Sequence, residues 1–66
     1  MIAYEVGCFS NELGPLSHRE EYYTKRAAFA AAKRLIRDYQ YIEVTLLEKD
    51  ELGNIEEGNV IETFRR

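Results

Sequence analysis

One helix-length segment, TKRAAFAAAKRL at residues 24–35, constrains the fold of this chain more than any other feature. Over residues 25–39 the apolar positions recur with the spacing of an amphipathic helix. The predicted buried side holds Ala28, Ala31, Ala32, Leu35 and Tyr39, with Phe29 and Ile36 at its edge. Because three of these residues are alanines, we expect the helix axis to lie close to a flat partner such as a sheet. With 66 residues and one such helix, the chain is predicted to be a single domain, residues 1–66.

The segments on either side of this helix alternate with the period of β-strands. Residues 2–9 place Ile2, Tyr4, Val6 and Cys8 on one side, and residues 41–49 place Ile42, Val44 and Leu46 on one side. Residues 54–64 predict a last strand after a turn at DELGN, with Gly58 expected at a bulge.

Residues 16–23 allow two interpretations. Ser17 and Glu20 match a helix capping box, whereas the same residues also alternate as a strand. We favour the strand, because the Tyr22–Tyr23 pair favours β structure and Thr24 is a good N-cap for the helix that follows. The predicted fold is α+β: a three- or four-stranded antiparallel sheet with one helix on one face, in the order βαββ or ββαββ.

Cysteine and hydropathy patterns exclude several classes of protein. Cys8 is the only cysteine, so no disulfide forms within the chain, and one Cys with one His cannot complete a structural zinc site. We predict no metal and no cofactor. No apolar run approaches the roughly 20 residues that cross a bilayer. The first residues, MIAYEVGCFS, lack the basic start of a signal peptide, so a cytoplasmic location is expected and no membrane partner.

A single helix covers only one face of a sheet, which leaves the other face open. If Ile42, Val44 and Leu46 point to the helix, the alternate residues point away from it. The predicted interface on that open face consists of Phe9, Tyr41, Thr45, Leu47 and Ile61. A different register of the last hairpin would place Val60 and Phe64 there instead of Ile61. We expect this apolar face to form a homodimer or to bind a host protein, rather than to carry only scattered apolar residues.

Catalysis has little support in the sequence. Cys8 and His18 could approach each other across a hairpin, but no third group that would orient the imidazole is identifiable, so no catalytic residue is assigned. The C-terminal part is acidic, through Glu48, Asp50, Glu51, Glu56, Glu57 and Glu62. These carboxylates do not have the spacing of a calcium-binding loop. They are expected to keep a hairpin soluble, with partial mimicry of nucleic-acid phosphates as the alternative.

The charge on the helix points to a second class of function. Residues 19–37 hold six basic and two acidic side chains. The exposed side of the predicted helix carries Arg26, Lys33, Arg34 and Arg37. Such a row could bind phosphates, but the chain has a net charge of −3. Nucleic-acid binding is therefore the alternative to protein binding, and a solvated helix face is the simplest interpretation.

The layout resembles that of small early-gene proteins of bacteriophages. The resemblance is carried by the strand YEV, the Tyr-Thr entry into TKRAAFAAAKRLI, the strand YIEVTLLE and the turn DELGN. It covers most of the chain and has no diagnostic motif, so no site residue is carried over. It implies a non-enzymatic protein of the host cytoplasm that binds and inhibits a host protein. Host targets in that group include CRISPR effectors, restriction nucleases and RNA polymerase.

Overall fold

The computed structural model describes residues 1–66 as a four-stranded antiparallel sheet with one helix. The elements are β1 (Ile2–Phe9), β2 (Leu16–Tyr22), α1 (Lys25–Leu35), β3 (Tyr41–Lys49) and β4 (Ile55–Arg65). The strands lie in the order β2-β1-β3-β4, and each neighbouring pair is antiparallel. The predicted α+β class and the ββαββ order are confirmed, and residues 16–22 form a strand rather than a helix.

Helix α1 begins at the predicted cap and ends earlier than predicted. The Thr24 side chain accepts a hydrogen bond of 3.1 Å from the Ala27 backbone N–H, which satisfies one free donor of the first turn. The prediction that the helix runs to Tyr39 was wrong. After Leu35 the chain tightens into a turn in which Asp38 N–H bonds to the Leu35 carbonyl at 2.9 Å. The chain must reverse there, because β3 starts at Tyr41.

The core lies between α1 and the two central strands. Val6 and Cys8 of β1 and Ile42 and Val44 of β3 are fully buried on the face under the helix. The helix contributes Ala28, Ala31, Ala32 and Leu35 to the same cluster. The alanines permit the close approach expected from the sequence, and alanine loses no side-chain entropy on burial.

The helix covers only part of the sheet. Its 11 residues span about 16 Å, whereas the longest dimension of the protein is 35 Å. Helix α1 lies over β1, β3 and β2. Strand β4 reaches it at Phe64, whose ring meets the ring of Phe29 edge-on at 5.7 Å between centroids. Most of β4 and the turn before it therefore extend beyond the shelter of the helix.

Strand β4 contains two extra residues relative to β3. Val44 pairs with Glu62 and Thr45 with Val60, so Ile61 has no partner in β3, and Glu56 is extra in the same way. The expected bulge at Gly58 was wrong, because Gly58 pairs in register with Leu47. The extra Ile61 changes the alternation of β4. Val60 lies on the face away from the helix, opposite Thr45, while Phe64 lies under the helix, opposite Ile42.

The turn between β3 and β4 forms at DELGN as predicted. The Asp50 carboxylate accepts backbone hydrogen bonds from Leu52 and Asn54, both at 2.9 Å. These bonds, with that from Asn54 as the largest cause, lower the pKa of Asp50 below its ordinary value. Gly53 has φ +86°, a left-handed conformation that side chains disfavour, so glycine is favoured at this position.

Candidate interaction surfaces

The open face, the side of the sheet away from α1, holds most of the predicted interface residues. The pairs Ala3–Leu47, Glu5–Thr45, Gly7–Glu43 and Phe9–Tyr41 run across β1 and β3 on this face. Phe9, Tyr41, Thr45 and Leu47 therefore share one side of the sheet, as the alternation predicted. Ile61 stands apart as the extra residue of β4, and Val60 takes the position opposite Thr45.

The expectation that Leu47 and Tyr41 present exposed apolar surface was wrong. Their relative exposures are 5% and 9%, so neither has much area left for a partner. The Leu47 side chain extends toward β4. A β-carbon added to Gly58 would lie 3.2 Å from Leu47 Cδ2. Because Gly58 has no side chain, Leu47 has room to pack against β4 and is buried within the chain.

Charged side chains cover much of the open face. Lys49 on β3 reaches Glu21 on β2, with Nζ 2.8 and 2.9 Å from the two carboxylate oxygens. The Lys49 side chain must cross β1 to do so, and Ala3 of β1 is fully buried. This bond is the largest cause that lowers the pKa of Glu21. Arg19 adds a second bridge of 3.0 Å to Glu5. A polar network therefore shields the half-sheet that the sequence predicted to be apolar.

An apolar patch remains at the end of the open face near the β1–β2 turn. The rings of Phe9 and Tyr41 are 5.7 Å apart, and the Leu16 side chain lies over Gly7. The Arg65 guanidinium sits over the Tyr41 ring at 5.1 Å and also bonds to Glu12. The patch is small and partly closed by these charges.

Strand β4 is the most exposed element of the protein. Residues 55–62 are all exposed, and its outer edge has no neighbouring strand. Val60 is 51% exposed and Ile61 37% exposed, in the middle of the strand. Residues 54–64 were predicted as the last strand, but its position at an open edge of the sheet was not predicted. The available signal was the scarcity of apolar residues at 56–59, where a covered strand would carry them.

The basic helix face is present as predicted. Arg26, Lys33, Arg34 and Arg37 are all exposed. Arg34 is partly engaged, because its Nη2 lies 3.3 Å from Glu20 Oε1. The helix and the turn that follows it, residues 25–38, carry five basic side chains and one acidic side chain, that of Asp38, so this side of the protein has an excess of positive charge.

Cys8 and His18 are neighbours across β1 and β2, but no hydrogen bond joins the thiol to the imidazole. Cys8 is fully buried, and burial raises the pKa of its thiol, with the Glu20 charge as a further cause. His18 Nε2 instead lies 2.8 Å from Glu20, and its ring stacks on Tyr39 at 6.0 Å. Glu20 contacts the imidazole and orients it, a role that was not predicted from the sequence.

Glu20 joins β2 to the helix. Its carboxylate accepts hydrogen bonds from Tyr22 and from Arg34, and it contacts His18. The Tyr22 bond is the largest cause that lowers the pKa of Glu20, followed by the bond to His18. The cluster therefore connects α1 to β2 at the edge of the sheet.

No pocket opens on the surface, and no group of three His, Cys, Asp or Glu side chains is placed to hold a metal ion. The single helix is too short and too polar to cross a membrane. Comparisons with protein-family models, curated proteins and solved structures gave no significant match.

Proposed function

We propose that this protein is a non-enzymatic interaction module that binds another protein through strand β4. The carrying observation is that β4 is an 11-residue edge strand with no neighbour on its outer side and with Val60 and Ile61 exposed at its centre. An exposed strand edge offers backbone donors and acceptors in a row, onto which a partner can add a strand.

Two observations support binding through β4 rather than through the open face. The polar bridges from Lys49 and Arg19 cross the open face, and Leu47 is buried within the chain. In contrast, nothing in the chain covers the outer edge of β4. A binding role also agrees with the only thiol, Cys8, being buried with a raised pKa.

The resemblance to bacteriophage early-gene proteins supports a host protein as one partner, with inhibition as the effect of binding. A variant of this idea uses the acidic β3–β4 turn as a partial nucleic-acid mimic, as an anti-CRISPR or anti-restriction protein would. The exposed acidic residues around that turn are Glu48, Glu51, Glu56 and Glu57.

A pull-down from bacterial lysate tests the proposal. Tagged wild-type protein is compared with Ile61→Lys on β4 and with Leu16→Lys, a matched change of an exposed apolar residue on the opposite edge strand. The lysate is treated with nuclease to remove bridging nucleic acid. We expect the same protein to be retained by wild type and Leu16→Lys and to be lost with Ile61→Lys. Equal retention by all three would contradict binding at β4.

Nucleic-acid binding is the second candidate function, and the exposed basic helix face supports it. Its test is a gel-shift titration at two salt concentrations, with wild type and an Arg26→Ala/Lys33→Ala/Arg37→Ala variant. Binding that weakens steeply with salt and depends on these three residues would favour this function. Unshifted nucleic acid at low salt would exclude it.

A further inference from the structure

We infer that the partner of β4 includes a second copy of the same chain, joined by antiparallel pairing of the two β4 edges. This inference rests on the proposed function and names a partner for it. The dimer would have a two-fold axis between Val60 and Ile61 and a continuous eight-stranded sheet.

The distribution of charge along β4 favours antiparallel self-pairing. Glu56 and Glu57 lie in its first half. The second half contains Glu62 but ends in Arg65, which is followed by Arg66. Antiparallel pairing of identical strands brings the first half of one against the last half of the other. The acidic start of each strand then lies beside the basic end of the other, whereas a parallel arrangement would place like charges together.

The extra residue Ile61 determines which residues of the two β4 strands can lie opposite each other. Residues that pair across an antiparallel ladder must share a face of the sheet. Gly58 and Thr63 lie on the open face, while Asn59 and Glu62 lie on the helix side. An axis between Val60 and Ile61 pairs Gly58 with Thr63 and Asn59 with Glu62, so faces match. In a strictly alternating strand, a two-fold axis between two residues would pair residues that lie on opposite faces of the sheet, so this register would not be possible.

In this register the exposed apolar residues meet at the centre and the charges meet at the ends. Val60 of each copy lies opposite Ile61 of the other, so each covers part of the other's exposed apolar surface. Glu56 lies opposite Arg65, which in the single chain already contacts Glu12 and the Tyr41 ring. The two-fold axis produces each of these pairs twice.

Sedimentation equilibrium of the purified protein over micromolar to near-millimolar concentration tests the inference. We expect a monomer–dimer equilibrium between the 7.7 kDa chain and twice that mass. Ile61→Lys should raise the dissociation constant at least about tenfold, because it places two lysines at the centre of the interface. Leu16→Lys, on the other edge strand, should leave the dissociation constant unchanged.

A charge exchange tests the register. Glu56→Arg and Arg65→Glu should each weaken the dimer roughly tenfold, and the double variant should restore most of the affinity. The double variant Glu57→Arg/Arg65→Glu carries the same charges at positions that are not opposite each other. It should therefore not restore the affinity of the dimer. Equal rescue by both double variants would overturn the register.

A wild-type chain that stays monomeric throughout, or a dimer that is weakened by Leu16→Lys and not by Ile61→Lys, would overturn the inference. The lysate experiment decides the proposed function independently. A monomer that still retains a host protein through Ile61 would leave the function in place with a different partner.

Discussion

The three strands β2, β1 and β3 and the outer strand β4 belong to one sheet but differ in what holds them. The first three lie under α1. The inward residues of β1 and β3 form a closed apolar cluster with the helix alanines, and β2 is joined to the helix through Glu20 and Arg34. Strand β4 is held by its ladder to β3 and by the Phe29–Phe64 contact, while residues 55–62 stay exposed. The comparison separates a stabilising region from a region free to bind, and the following predictions test that separation from the largest expected effect to the smallest.

The sharpest test replaces the same residue type in the two regions. Ile42 in β3 is fully buried, whereas Ile55 in β4 is 57% exposed. Ile42→Ala should lower the free energy of unfolding by about 2–5 kcal/mol, because it leaves a cavity in the core. Ile55→Ala should lower it by less than about 0.5 kcal/mol. Urea denaturation at low protein concentration measures both, and similar losses would abolish the distinction between the regions.

The helix offers the next test, with two adjacent alanines. Ala31 is buried against the sheet, and Ala30 is exposed. Ala31→Leu should destabilise the protein by roughly 1–3 kcal/mol through overpacking, and Ala30→Leu should be nearly neutral. Thermal unfolding of the two variants checks this. Equal midpoints would mean that the helix is rotated about its axis relative to the arrangement described.

The turn that leads into β4 should show a smaller effect. Gly53→Ala places a β-carbon on a residue with φ +86° and should cost about 1 kcal/mol. Gly53→Asn should cost less, because asparagine tolerates the left-handed conformation better. The free energies of unfolding of both variants give the comparison. A larger loss for asparagine would show that the turn conformation is not the cause.

The Glu20 cluster predicts the smallest effect and a pH dependence. Because folding lowers the pKa of Glu20, its contribution is present above the ordinary value of 4.5 and is lost as pH falls through the folded-state pKa. Glu20→Gln should destabilise by roughly 0.5–1 kcal/mol at pH 7, since the carboxylate is partly exposed.

The difference between wild type and Glu20→Gln should shrink as pH falls below 4.5. Glu51→Gln, a change at an exposed position in the β3–β4 turn, serves as the control and should have no comparable effect. A Glu20→Gln difference that is constant between pH 7 and pH 3 would remove the ionised carboxylate as its cause.

Much of the fold could be predicted because local patterns and tertiary structure agree. The alternation in β1 and β3 and the Thr24 cap each follow from a few neighbouring residues. The helix end at Leu35 was not predicted, since Ile36 and Tyr39 continue the apolar spacing into a turn that is fixed by the start of β3. The extra residue at Ile61 depends on pairing with β3, which no local pattern in β4 records.

The candidate surface was less predictable than the fold. Alternation assigned Leu47 and Tyr41 to the open face, but their burial depends on side chains from distant strands. Lys49 and Glu21 are 28 residues apart in the sequence. They meet because β3 and β2 lie on either side of β1, close enough for the Lys49 side chain to reach across it. The exposure of β4 likewise depends on the short reach of α1. Both are properties of the assembled sheet rather than of any segment.

The unpaired Ile61 restricts how this chain can vary in length. Adding one residue to the ladder between Val60 and Phe64 would interchange the inward and outward positions of the strand residues that follow it. Phe64 would then turn away from Phe29, and the helix would lose its only aromatic partner on that strand. Removing Ile61 itself would leave a regular ladder, with Val60 still opposite Thr45 and Phe64 still opposite Ile42. Single-residue insertions should accordingly be rejected near Ile61 and tolerated in the 50–54 turn, whereas deletion of Ile61 should be tolerated. A library of single-residue insertions and deletions scored for soluble expression would reveal this pattern.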